Sequence, residues 1–476
     1  MPQTINVLFL AAEAEPYVKV GGLGDVAGSL PRALRALSSE DVKLDVRLVL
    51  PYHSVIRAEV RPVGMYSIPR GESEVQAEAY ETSLNGMPVY FISGEPIRAS
   101  GSVYSSDSKL DAEKYAFFSL AALELQRHIN WVPHIIHVND WHTALAAYDL
   151  LAKHWEAGTR KIASLVTVHN LPYLGPDVSA VLESYGIKLA QTDLPHWARV
   201  MPLPLGLWAS DAIVAVSPTY AKEILRPESS SGLHEFLESR RESLYGILNG
   251  LDTVSFDPAT DPALGVNFDA DTLEKRAANK ALLQERIGFP VESETPLLGM
   301  VSRMDPQKGV DIALTALKYM RRSKSKWQAI ILGTGDPSLE ETALELQADN
   351  PERVHVQTRY DAGLARQIYG GADIFLMPSR YEPCGLSQMI AMRYGCVPIV
   401  RAAGGLNDTV KHGETGFVFQ DPNFRALTAA IRAALKIYPG RTIWQKIQRA
   451  GMAQDFSWSK SAQKYLELYQ SLIKNL

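Results

Sequence analysis

At 476 residues the chain is too long for one ordinary hydrophobic core, so two or three domains are expected. A net charge of −5 gives no basic footprint for nucleic acid, and 46% hydrophobic with 21% charged residues is the balance of a water-soluble globular protein. The two cysteines, Cys384 and Cys396, exclude a disulfide scaffold and fit a reducing compartment.

The run INVLFLAA (5–12) has no basic stretch before it and meets acidic residues at once, so it reads as a first β-strand and not as a secretory leader. No apolar run reaches the ~20 residues of a membrane span. A soluble, cytoplasmic protein is expected. KVGGLGDV (19–26) follows the first strand. In a doubly wound sheet, ligands sit at the carboxyl ends of strands, where the next helix offers backbone N–H groups to anions. The glycines let the backbone approach a ligand, and Lys19 suits a phosphate or a sugar oxygen. A plain strand-to-helix turn has the same spelling.

KLDVRLVLP and PVYFIS read as further strands, YAFFSLAALELQRHI as a helix, and HIIHVN, IASLVTVHN and AIVAVS as strands again. After HIIHVN, DWHTAL (140–145) sets Asp140, Trp141 and His142 side by side. An acid, a ring and an imidazole suit a carbohydrate; a helix N-cap aspartate beside a core tryptophan is the alternative. His169 and Asn170 end the next strand and enter the loop HNLPYLG. Zinc on His137, His142 and His169 would need ligands from separate strands without tight spacing, so no metal is expected; a satisfied buried histidine is the alternative.

NGLDTVSFDPATDPALGVNFD is rich in Asp, Pro and Gly, which places a linker near Asn249–Asp261. Beyond it the rhythm returns: LLGMVSR, QAIILGTGD, VHVQTRY, IFLMPS and VPIVRAAGG as strands, VDIALTALKYM and GLARQIYGGA as helices. Two α/β halves with parallel sheets are expected. In SRMDPQKGVD, Arg303 and Lys308 follow a strand and precede a helix, as a diphosphate clamp would; solvated surface charge is the alternative. EPCGL (382–386) is a turn that opens a helix. Glu382 suits sugar hydroxyls, as do the N–H groups of Cys384, Gly385 and Leu386. Cys384 has no partnering base nearby and is not read as a nucleophile. AAGGLNDTV (402–410) echoes GGLGDV, and SWSKSAQKYLELYQSLIKNL reads as an amphipathic helix.

Taken in order, KVGGLGDV, DWHTAL, HNLPYLG, VSPTYAKEI, GILNGLD, VSRMDPQKG, GADIFLMPSRYEPCGL and RYGCVPIVRAAGGLNDTV resemble the bacterial glycogen synthase and plant starch synthase family across nearly the whole chain. The resemblance implies a GT-B fold, two Rossmann-like doubly wound domains facing across a deep cleft. It implies an acceptor-side domain over 1–250, a nucleotide-sugar domain over 251–455 and a terminal helix, 456–476, crossing back to the first. The implied reaction moves glucose from ADP-glucose to the non-reducing end of an α-1,4-glucan, glycogen or maltooligosaccharide, with retention. Carried over by motif, Lys19, Gly22 and Asp25 would meet the donor. Asp140 and His169 would lie beside the transferred glucose, and Asn249 would face the cleft. Arg303 and Lys308 would hold the diphosphate and Tyr360 would stack on the base. Glu382, Cys384, Gly385, Leu386 and Ser387 would line the glucose and phosphate pocket. No cofactor, divalent cation, nucleic acid or membrane partner is implied.

Some positions depart from the family pattern. Glu15 stands where a small residue is usual, and Val20 where threonine is common. Pro172 and Leu174 alter HNLPYLG, Lys114 and Tyr115 replace an Arg-Phe pair, and Arg359 replaces a glycine before Tyr360. The last of these bears on ADP-glucose against UDP-glucose. A non-catalytic glucan-binding scaffold is disfavoured, because Lys19, Asp140, His169, Arg303, Lys308 and Glu382 are all present. A dehydrogenase is disfavoured because no GxGxxG follows the first strand. The absence of an N-terminal extension or starch-binding module fits a bacterial synthase more than a plastid one.

Overall fold

The computed structural model describes residues 3–39, 41–157, 162–321 and 325–476. The chain divides into two compact units, Met1–Gly250 with Trp458–Leu476, and Leu251–Ser457. Among the described residues no helix is long and apolar enough to cross a membrane.

The first unit is built on nine strands: β1 (Gln3–Leu10), β2 (Val42–Pro51), β3 (Arg61–Arg70), β4 (Ser73–Leu84), β5 (Met87–Gly94), β6 (Ile135–Asn139), β7 (Ala163–Val168), β8 (Ala212–Ala215) and β9 (Leu244–Gly246). They lie in the order β3-β4-β5-β2-β1-β6-β7-β8-β9. Pairing is parallel from β5 through β2 to β9, whereas β3, β4 and β5 form antiparallel hairpins. Val7, Leu8, Phe9 and Leu10 of β1 are all fully buried, as a parallel strand covered on both faces requires. The hairpins were not foreseen. Their clearest signal is Asn85-Gly86, both at positive φ (51° and 81°), the two-residue turn that matches strand twist.

One apolar cluster joins β1, β2 and β5 to the helix Gly22–Ala36, through Val26, Ala27, Leu30 and Leu34. Trp458, Ala462, Tyr465 and Tyr469 of the terminal helix Trp458–Lys474 belong to the same cluster. β1 is flanked by β2 on one side and by β6 on the other. The sheet order therefore reverses at β1 and β6, the place where open α/β sheets bind ligands.

The second unit carries a wholly parallel sheet of β10 (Leu297–Val301), β11 (Gln328–Leu332), β12 (Val354–Gln357), β13 (Ile374–Met377), β14 (Val397–Arg401) and β15 (Phe417–Phe419). Its order is β12-β11-β10-β13-β14-β15, so the reversal falls between β10 and β13. SRMDPQKG leaves β10 and SRYEPCGL leaves β13, which sets these two motifs at neighbouring strand ends.

Candidate active site

In the first unit, the residue that organises KVGGLGDV is one the motifs had not singled out. Glu13, 1% exposed just past β1, accepts hydrogen bonds from the N–H of Val20 and from the N–H of Gly21 at 3.0 Å. The hydroxyl of Tyr104 donates to it at 2.9 Å. Burial raises the Glu13 carboxyl above its ordinary range, and those donors oppose the shift. Two loop N–H groups expected to be open to an anion are thus already taken. The only local signal was an acid directly after the apolar run INVLFLAA, three residues past the end of β1.

Lys19 donates to Asp25 at 2.6 Å and to Glu15 at 3.1 Å. Burial works against its charge, but the two carboxylates prevail and its pKa is raised. Gly22 opens the helix Gly22–Ala36, and a Cβ there would meet no atom within 4 Å. Gly22 is exposed, and the space beside it is open. Gly28 is the opposite case, since its Cβ would stand 2.4 Å from the Glu15 carbonyl oxygen.

At the ends of β6 and β7, Asp140 adopts φ +53° just before the helix Trp141–Ala157. Its Oδ1 accepts the N–H of His169 at 2.7 Å and of Asn170 at 3.4 Å. The N-cap alternative is therefore corrected: the carboxyl ties two strand ends together. Burial pushes its pKa up to about 7, against those two N–H groups. His169 Nε2 lies 2.9 Å from Asn139 Oδ1, and burial lowers the imidazole to about 3, so it is neutral. Asn139 in turn donates to the Leu10 carbonyl at 2.9 Å, which links β6 back to β1.

The His142 ring lies 4.0 Å from Trp141, tilted by 32°, and 4.9 Å from Tyr104. Its Nδ1, together with the Oδ1 atoms of Asn170 and Asn249, is buried without a hydrogen-bond partner among the described residues. A hydroxyl, whether of a sugar or of water, has the chemistry to pair with such atoms. His137 is the satisfied histidine: Thr167 Oγ1 and the Tyr469 hydroxyl each lie 2.7 Å from its ring nitrogens. Among the described residues no three His, Cys, Asp or Glu side chains are placed to hold a metal.

In the second unit, Lys308 Nζ donates to both oxygens of Glu382, at 2.9 and 2.7 Å, and Ser379 Oγ donates to the same carboxylate at 3.1 Å. The Glu382 side chain is 7% exposed and that of Lys308 19%. Asp305 caps the turn by accepting the Lys308 N–H at 2.9 Å. Arg303 is 61% exposed at its side chain and pairs with Asp305 at 3.0 Å. Both proposed clamp cations are thus paired with an acid, and they differ in exposure, Lys308 being enclosed and Arg303 open to solvent.

The EPCGL loop is pressed from below by the helix Gly404–Thr409. The Gly405 N–H donates to the Glu382 carbonyl at 3.1 Å, and a Cβ on Gly404 (φ +41°) would lie 2.0 Å from that same oxygen. Cys384 is buried, Gly385 takes φ +74°, and Leu386 and Ser387 lead into the helix Ser387–Arg393. Glu382 through Ser387 therefore form one continuous turn beside Lys308. Tyr360, 80% exposed beyond β12, makes no hydrogen bond or ring contact with this group.

Two α/β units with charged and polar side chains gathered where each strand order reverses have the character of a GT-B glycosyltransferase. Residues 6–239 match the starch synthase catalytic domain, and residues 284–450 match glycosyl transferases group 1. Sucrose-phosphate synthase from Thermosynechococcus elongatus shares the fold at 19% identity and TM-score 0.63, over 99% of this chain and 100% of that one. The catalytic domain of starch synthase IV from Arabidopsis thaliana, bound to ADP and acarbose, is 32% identical with a TM-score of 0.90, over 99% of this chain and 100% of its own. Glycogen synthases of Streptococcus sanguinis (37% identical) and Anaeromyxobacter dehalogenans (39%) match over 98% of this chain and 100% of theirs. The chain belongs to the glycogen synthase and starch synthase family of glucosyltransferases.

Proposed function

We propose that the chain transfers glucose from ADP-glucose to the non-reducing end of an α-1,4-glucan, glycogen or a maltooligosaccharide, with retention at the anomeric carbon and release of ADP. The observation that carries the donor half of this reading is the likeness, at TM-score 0.90, to a starch synthase that holds ADP. The bacterial relatives support a cytoplasmic setting.

In this reading Lys308, already fixed by Glu382, and Arg303 hold the diphosphate. The leaving group gains negative charge as the glycosidic bond breaks, and preorganised cations can contribute about 3 kcal/mol each to its stabilisation. Such a clamp needs no divalent cation. Glu382 and the turn through Cys384, Gly385, Leu386 and Ser387 take the glucose hydroxyls and a phosphate, and Tyr360 stacks on the base. Lys19, Gly22 and Asp25 meet the donor. Asp140, His169 and Asn249 lie by the glucose, where the buried Asn249 Oδ1 can accept a sugar hydroxyl.

The test is nucleoside diphosphate release from ADP-glucose and from UDP-glucose, with and without glycogen, in EDTA throughout. Glycogen-dependent ADP release with chain lengthening is expected. Release from UDP-glucose alone would overturn the donor, and no release from either would overturn the reaction.

A further inference from the structure

We infer that Glu15 is an internal competitor for the ammonium of Lys19, and that it weakens this chain's hold on the diphosphate of its donor. The inference rests on the proposed role of Lys19 as a donor contact, with its ammonium on a phosphate of the donor beside the Arg303 and Lys308 clamp.

The observations lie within one loop. Lys19 Nζ is bonded to Asp25 at 2.6 Å and to Glu15 at 3.1 Å, which leaves one ammonium shared by two carboxylates. Glu13 contributes a third carboxylate directly beneath, on the N–H groups of Val20 and Gly21. Glu13, Glu15 and Asp25 against Lys19 make a net charge of about −2 when all are ionised. An arriving diphosphate is itself negative, so it meets repulsion and must also displace a carboxylate from the lysine.

Of the three acids Glu15 is the one free to act as a removable competitor. Its side chain is 55% exposed, against 23% for Asp25, and Glu13 is buried. Its backbone, by contrast, is fixed. The Glu15 N–H donates to the Gly24 carbonyl at 3.0 Å, and Gly28 packs against its carbonyl so closely that a Cβ would lie 2.4 Å away. The Lys19 stem rests on Gly24, whose Cβ would be 3.0 Å from Lys19 Cγ. A rigid frame thus aims a replaceable carboxylate at the lysine.

Binding of ADP alone, followed by calorimetry in the full chain, tests this without reliance on turnover. Glu15→Gln and Glu15→Ala should bind ADP about two- to five-fold more tightly, the range of an exposed ion pair. The donor KM should fall by a similar factor, and the gain should shrink as salt rises, because the groups are exposed. Unfolding midpoints should be unmoved. Lys19→Ala in parallel separates the two claims. If Lys19→Ala weakens ADP binding but neither Glu15 variant strengthens it, the competitor role is overturned. If Lys19→Ala binds ADP as well as the parent does, the donor contact itself is wrong and the competitor falls with it.

Discussion

Lys308 and Glu382 stand 74 residues apart in the chain, yet the ammonium of one meets both oxygens of the other at 2.7 and 2.9 Å. The loops that leave β10 and β13 bring them together, and these are the strands at which the second sheet reverses its order. The long stem of Lys308 is already ordered when a diphosphate arrives, which spares rotamer entropy, while Glu382 keeps a share of its ammonium.

Lys308→Ala should therefore cut kcat by about 100-fold or more, in line with about 3 kcal/mol for a preorganised group at a developing charge. Glycogen affinity, measured by co-sedimentation, should be unchanged. Unchanged turnover would remove Lys308 from the diphosphate clamp.

Tyr360→Ala tests the base contact. The ring is 80% exposed, so the unfolding midpoint should not move. If the ring stacks on adenine, ADP binding should weaken by about ten-fold, within the ~1–3 kcal/mol typical of base–aromatic stacking. Parent-like ADP binding would leave the base without its proposed partner.

Gly404→Ala should be among the most damaging small substitutions in the second unit. Its methyl would sit 2.0 Å from the Glu382 carbonyl oxygen, and φ +41° is a conformation an L side chain avoids. A loss of at least about 2 kcal/mol in urea unfolding, with weaker ADP binding, is expected. A variant that melts and binds like the parent would show that the turn at Glu382 can move aside.

Asp140 makes a pH prediction with a definite sign. Its folded pKa of about 7 exceeds the ordinary carboxyl value of 3.8, so between these the folded chain holds a proton the unfolded chain releases. Its contribution to stability is complete below about pH 4 and is lost as pH rises toward 7. His169, lowered to about 3 by burial, acts the other way and costs stability as pH falls below about 6.5. The difference between the parent and Asp140→Asn isolates the first term. That difference should move toward the variant as pH rises from 4 to 8. A pH-independent difference would contradict the buried, proton-holding carboxyl.

Tyr469→Phe should leave a His137 nitrogen unpaired in the core, at a cost of about 1–3 kcal/mol in urea unfolding. Prolonged dialysis against EDTA should leave the parent's midpoint where it was, whereas a fall would revive zinc on the histidines.

The parallel strands were legible because INVLFLAA, LLGMV and their counterparts are apolar on both faces, a pattern that helix-covered sheets impose. The loops at their ends were legible for the same reason, since ligand chemistry must follow such strands. What escaped was non-local. Glu13 carries no motif, and its role emerges only when the loop folds back onto it. Asp140 spells like a helix cap, but its partners sit 29 and 30 residues away on the next strand end. Lys308 and Glu382 were each recognised, while nothing in either motif announced that one neutralises the other. The β3–β4 hairpin escaped because half-exposed antiparallel strands lack the unbroken apolar run that marked the others.

The terminal helix sets an order on the birth of this protein. Trp458–Lys474 packs in the same apolar cluster as the helix that begins at Gly22, yet the ribosome reaches it only after the entire second unit has been made. A nascent chain that has released its first 250 residues still exposes the groove that Trp458, Tyr465 and Tyr469 will fill. The apolar face of the helix Gly22–Ala36 is therefore covered late, and a ribosome that stalls within the second unit leaves the first unit unfinished.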